Sequence, residues 1–157
     1  MDGTLDVLVY RVAGRRHALP VSDVVEVTPS VDLTPLPGAP PQVLGAFAFR
    51  GEVVPLIDLA ATSGATPLPL RLPEHFVVVA TGGRTLALRV DEAEEVLRLE
   101  AGELAGAQPL GRELPGVRAL AATGGGLLLI RDLQQVLSAA ERGELEAALA
   151  AAAEAES

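Results

Sequence analysis

The chain has two histidines, His17 and His75, and no cysteine. Ser22 and Asp23 lie near His17, so a Ser–His–Asp hydrolase set is conceivable, with serine attacking a carbonyl and histidine moving its proton. Such a set is defined by geometry, and no nucleophile elbow or other catalytic motif accompanies these residues. His17, next to Ala18 and Leu19, reads as an ordinary strand residue. Without cysteine there are no disulfides, thiolate metal sites, thioether haems or thiol nucleophiles. Asp91-Glu92 and Glu94-Glu95 form an acidic cluster of a kind that can do acid–base work or hold a hard cation. Its spacing is not that of a calcium loop, and it reads as a solvated strand edge that discourages aggregation. Gly124-Gly125-Gly126 lacks the Lys-Ser/Thr of a phosphate-binding loop and reads as a hairpin turn. The expectation is no catalytic residue, no cofactor and no metal.

One other constellation remains. Arg50 and Gly51 stand between two apolar runs, Val43 to Phe49 and Val53 to Ile57. A hairpin with glycine at positive φ and a solvated arginine accounts for that pattern. Similar β-type runs recur: Asp6 to Val12, His17 to Val21, Val24 to Val27, Phe76 to Ala80, Thr85 to Val90, Val96 to Leu99, Val117 to Ala122 and Leu127 to Ile130. The passage from Pro29 to Pro41 is too proline-rich for a central strand or a helix. Ala60 to Pro73 and Glu100 to Pro115 read as loops. From Asp132 the period turns helical, with Leu133, Val136 and Leu137 on one face. Residues 142–157 form an alanine-rich tail expected to be helical. Deleting Gly143 to Ser157 is expected to leave the rest folded, because Leu145 and Leu149 are its only large apolar side chains.

The 157 residues include 12 basic and 21 acidic side chains, a formal charge of −9, and 49% are apolar. That composition supports a packed core and argues against nucleic acid, whose phosphates require clustered cations. Every basic residue is arginine, scattered along the chain, and the four aromatic residues are too few to stack bases. Neither a signal peptide nor a membrane-spanning run is expected, which suits a cytoplasmic protein.

The two halves look like copies. Gly14 to Val27 laid over Gly83 to Val96 matches at seven of fourteen positions, including Leu19/Leu88 and Glu26/Glu95. Further on, Val53 to Leu59 lies over Leu127 to Leu133, with Asp58 over Asp132. Ordered matches of this kind point to a duplicated β unit, with lobes at about 7–59 and 76–133.

With these residues in view, the chain resembles the CheW family, the coupling proteins of bacterial chemotaxis arrays. The resemblance rests on Gly14 to Val21 with Val24-Val25-Glu26-Val27, then Leu36-Pro37, Gly45, Arg50-Gly51 and Val53-Val54-Pro55-Leu56-Ile57-Asp58-Leu59. Val90-Asp91 and Leu127 to Ile130 complete it, over residues 5–141. The family's usual Asn-Leu before Arg-Gly is here Ala48-Phe49.

The resemblance implies an all-β fold of two five-stranded SH3-like barrels around a shared hydrophobic core, with a C-terminal helix. It also implies a non-enzymatic adaptor joining the cytoplasmic tip of methyl-accepting chemoreceptors to the regulatory domain of a CheA-type histidine kinase. Neither nucleic acid nor membrane insertion is involved, and recruitment to membrane-bound receptor arrays would follow. Val24, Glu26, Arg50 and Gly51 are carried over as receptor-side residues. The alternatives are a CheW-like scaffold of a non-motility pathway, or a small-molecule-binding or hydrolytic protein using the groove between the barrels.

Overall fold

The computed structural model describes residues 3–59, 74–81, 83–106, 117–124 and 126–156. The loop expected at 60–73 and most of that expected at 100–115 lie outside them. The apolar runs become strands β1 (Thr4–Val12), β2 (Arg15–Pro20), β3 (Val24–Pro29), β4 (Val43–Phe49), β5 (Glu52–Asp58), β6 (His75–Thr81) and β7 (Arg84–Val90). They are followed by β8 (Glu92–Glu100), β9 (Leu104–Gly106), β10 (Val117–Thr123), β11 (Gly126–Arg131) and a helix, α1 (Ala139–Glu156). β8 starts inside the acidic cluster, earlier than Val96, and β9 falls in a stretch expected to be irregular.

Several of these runs are apolar at consecutive positions because both faces of the strand are dry. Along β1, Val7 and Val9 enter one cluster with Ala18, Leu99, Leu128 and Ile130, while Leu8, Tyr10 and Val12 enter another. β6 divides in the same way. Val77 and Val79 join Leu8 and Tyr10, whereas Phe76 and Val78 pack with Phe47, Val54 and Leu56. Three cores result: one inside each sheet and a larger one between them. The expected shared core is there.

Among the described residues the strands form a six-stranded sheet, β8-β1-β2-β11-β10-β9, and a five-stranded sheet, β3-β6-β7-β5-β4. The three-residue β9 makes the first sheet one strand larger than expected. Matching β8 with β3, β1 with β6, β2 with β7, β11 with β5 and β10 with β4 turns one strand order into the other. In both sheets the only parallel pair joins equivalent strands, β11 with β2 and β5 with β7. The lobes are nevertheless not the sequence segments 7–59 and 76–133. Hairpin β1–β2 belongs to the sheet built mainly from the second half, and β6–β7 to the sheet of β3, β4 and β5. Each repeat lends its first hairpin to the other, which covers both faces of that hairpin.

The tail also departs from expectation. α1 begins at Ala139, where Ser138 and Glu141 form a reciprocal cap: Glu141 N donates to Ser138 Oγ at 3.1 Å, and Ser138 N to Glu141 Oε1 at 2.8 Å. The helix is docked. Leu145 is 2% exposed within the shared core, beside Leu133, Val136 and Leu137, and Leu149 packs against the same cluster. Ion pairing of Arg84 with Glu146 and a hydrogen bond from Gln42 to Glu141 hold it to the sheets. Leu133 to Gln135 form a 3₁₀ turn, not an α-helix, yet Leu133, Val136 and Leu137 are buried as their spacing predicts. Removing residues 143–157 therefore opens the shared core. Leu145→Ala is expected to cost about 2–5 kcal/mol, and the truncation more, read as a fall in urea midpoint.

Candidate functional site

The β4–β5 turn is a two-residue loop in which Arg50 (φ 50°) and Gly51 (φ 80°) are both left-handed. Two positive φ values match the twist of a tight hairpin, so the turn is stiff, and a non-glycine residue held there aims its side chain along a set path. The Arg50 guanidinium lies 4.8 Å from the centroid of the Phe49 ring and donates to Glu26 on β3. β3 and β4 are opposite edges of the five-stranded sheet, so this pair spans the gap where the sheet curls round. Gly45 lets the segment at Thr34 lie close against β4. A Cβ there would meet the Thr34 carbonyl oxygen at 2.8 Å, and Thr34 exchanges backbone hydrogen bonds with Ala46.

Three of the four carried-over residues, Glu26, Arg50 and Gly51, thus meet at one exposed corner, and Arg50 remains 64% exposed. Val24 does not join them. A register shift between Val24 and Glu26 pairs Val24 with Val79 and Glu26 with Val78, which send the two side chains to opposite faces. Val24 packs half-buried against the shared core instead. Arg50 is also less free than a solvated turn residue, being engaged by both Glu26 and Phe49.

The catalytic possibilities separate in space. His17 is buried on β2, and its Nδ1 lies 3.2 Å from Arg131 Nη1. Ser22 and Asp23 belong to a 3₁₀ turn beyond the end of that strand. Burial, reinforced by Arg131 and Arg15, lowers the His17 pKa to about 4. A neutral, core-facing imidazole results. His75 Nδ1 accepts from Ala93 N at 3.1 Å, a structural contact. In the acidic cluster, Glu94 meets Arg11 at 2.6 Å and Arg16 at 3.4 Å, and Glu95 meets Arg16 at 3.5 Å. Hydrogen bonding from Arg11, above all, holds the Glu94 carboxyl below its ordinary pKa. Among the described residues no cluster of His, Cys, Asp or Glu could hold a metal ion. Nor is any helix long and apolar enough to cross a membrane.

Sequence reasoning missed a buried ion cluster. Arg89 on β7 donates to Glu74 through Nε at 2.8 Å and Nη2 at 3.1 Å, and to Asp58 through Nη1 at 3.3 Å. All three are at least nine-tenths buried. Hydrogen bonding to Glu74 raises the arginine above its ordinary pKa. One guanidinium thereby ties the end of β5 to the residue before β6. The Asp58-Leu59 pair was visible in the sequence, but its partner aligns with Pro20 in the other repeat, so the duplication carried no hint of it.

Two outcomes follow from these networks. Arg89→Met removes the arginine bonded to two buried carboxylates and is expected to cost about 3–5 kcal/mol, measured by urea unfolding. His17 has a depressed folded pKa, so the unfolded chain binds more protons between pH 6.5 and about 4, and its contribution to stability falls as pH falls through that window. His17→Leu, the residue found at the equivalent position 86, should flatten the slope of stability against pH there. Glu94, Glu141 and Asp6, whose pKa values are lowered, lose their contributions at lower pH and should be unaffected.

The family model for the CheW-like domain matches residues 6–141. A chemotaxis protein CheW of Rhizobium meliloti is 27% identical over 96 residues, covering 61% of this chain and 62% of that protein. Protein PilI of Pseudomonas aeruginosa is 34% identical over 83 residues, covering 53% and 47%. Protein FrzA of Myxococcus xanthus is 42% identical over 50 residues, covering 32% and 31%. In each case the match spans less than two thirds of the relative's length. The crystal structure of the scaffolding protein TtCheW from Thermoanaerobacter tengcongensis superposes with a TM-score of 0.80 at 23% identity, over 88% of this chain and 96% of that one.

Proposed function

Since this chain belongs to the CheW-like domain family, we propose that it is a scaffold that couples a chemoreceptor to a CheA-type histidine kinase and performs no reaction of its own. The observation that supports this most directly is the exposed Glu26–Arg50 pair on a stiff turn. A guanidinium presented at a fixed angle, with spare donors, suits recognition of carboxylates or carbonyls on a partner. The cytoplasmic tip of a methyl-accepting receptor is the partner assigned to it, through Glu26, Arg50 and Gly51, with Val24 supporting β3 from the core side. The kinase regulatory domain would engage another part of the surface, in the cytoplasm, at receptor arrays. Because Protein PilI and Protein FrzA stand beside the chemotaxis protein CheW among the relatives, a second reading has the same scaffold serving a related chemosensory pathway. Neighbouring flagellar or pilus genes would distinguish the two.

Arg50→Glu tests the assignment. An exposed ion pair contributes about 0–1 kcal/mol, so the variant should melt close to the parent. Placing a carboxylate beside Glu26 should cost several kcal/mol of receptor binding and leave kinase binding nearly intact. Calorimetry with a receptor-tip fragment and with the kinase regulatory domain reads both. Unchanged receptor affinity would remove Arg50 from the interface, and failure to bind any cognate kinase would count against the coupling role.

A further inference from the structure

Consecutive side chains of a strand point to opposite faces, so residues 49 and 50 would not meet along a regular strand. The left-handed backbone at Arg50 (φ 50°) breaks that alternation and folds the arginine back over its neighbour's ring. An aromatic face attracts a cation within about 6 Å of its centroid, and this guanidinium lies at 4.8 Å. The ring is anchored on its other side. Phe49 is half-buried against the cluster of Phe47, Val54, Leu56, Phe76 and Val78. We infer that Phe49 is a positioning residue, whose ring fixes the plane in which Arg50 offers its donors to a receptor. This role rests on the proposed function and adds to it a side chain that acts through Arg50.

The two contacts engage different parts of the guanidinium. The ring covers its flat face, which carries no N–H, whereas Glu26 accepts from Nη2 at the rim. Among the described residues Nε and Nη1 have no hydrogen-bond partner, so those donors are left to an incoming acceptor. An arginine 64% exposed and held by one carboxylate would swing on its stem, and ordering it would weaken a complex. The ring removes that freedom beforehand, and it keeps the plane fixed if Glu26 is exchanged for a partner's acceptor. Lysine at position 50 would not be oriented in this way, because an ammonium has no plane to lie on the ring.

The test is a double-mutant cycle on the full chain, read by calorimetry against a helical-hairpin fragment of a chemoreceptor's cytoplasmic tip from the same organism. The kinase regulatory domain is titrated in parallel. Phe49→Leu keeps apolar bulk on the core and removes the aromatic face. It should weaken receptor binding about three- to tenfold, with kinase affinity within about twofold. Phe49→Tyr, which keeps the face, should bind like the parent, and Phe49→Leu should cost nothing further in an Arg50→Met background. A loss of equal size in both backgrounds would mark Phe49 as packing alone and overturn the inference. The chain has no tryptophan, so Phe49→Trp introduces a lone fluorophore beneath the guanidinium. Its emission in the free protein should shift when Arg50→Met is added, and no shift would overturn the contact. Receptor affinity lost in Arg50→Met but normal in Phe49→Leu would overturn the positioning role and leave the Arg50 assignment standing. Normal affinity in both variants would overturn the receptor site itself, and the positioning role with it.

Discussion

Dryness on both faces of two hairpins is the constraint on which the rest of the fold depends. Hairpins β1–β2 and β6–β7 carry apolar side chains on either face, so each must lie between two cores at once. A five-stranded sheet curling on itself covers only the inner face. The outer face needs a second sheet, and the exchange of hairpins between the repeats supplies it with strands that are themselves double-faced. Leu8, Tyr10 and Leu19 from one sheet then meet Val77, Val79 and Leu88 from the other. Tyr10 shows the cost of so apolar an interior: its hydroxyl is buried with no hydrogen-bond partner among the described residues, a desolvation penalty of about 1–3 kcal/mol.

Charge is distributed accordingly. Where Arg89, Glu74 and Asp58 enter the interior they do so as a mutually bonded set, because an uncompensated ion there would be too costly. Where charges stay at the surface, as for Arg50 and Glu26, the net energy of pairing is small and the side chains can change partners. That difference separates the arginine that holds the fold, Arg89, from the one left at the surface, Arg50. The β4–β5 turn adds orientation: the left-handed backbone at Arg50 and Gly51 sets the direction in which Arg50 leaves the sheet.

α1 connects these two levels. Its first half is core, since Leu145 fills the space beside Leu133, Val136 and Leu137 that the two sheets leave open. Its last turns project past that core toward the hairpin bearing Arg50.

Sequence alone determined most of the strands, though not β9 or the start of β8, together with the duplication and the Arg50-Gly51 motif, because each is written in local chemistry: apolar β-branched runs, glycine at hairpin turns, and repeated spacing. The start of α1 was equally legible in Ser138-x-x-Glu141, a local capping signal that a reading of composition alone passes over. Tertiary structure decided which repeat each hairpin joins, since a continuous apolar run announces that both faces are buried but not what buries them. It likewise decided that Leu145 is core, because two leucines in an alanine-rich helix carry too weak a pattern to identify a partner. The bulge that turns Val24 away from Glu26, and the arginine that joins Asp58 to Glu74, depend on register and on contacts between strands distant in sequence. Such contacts are set by how the sheets curl and pack, and no local spacing encodes them.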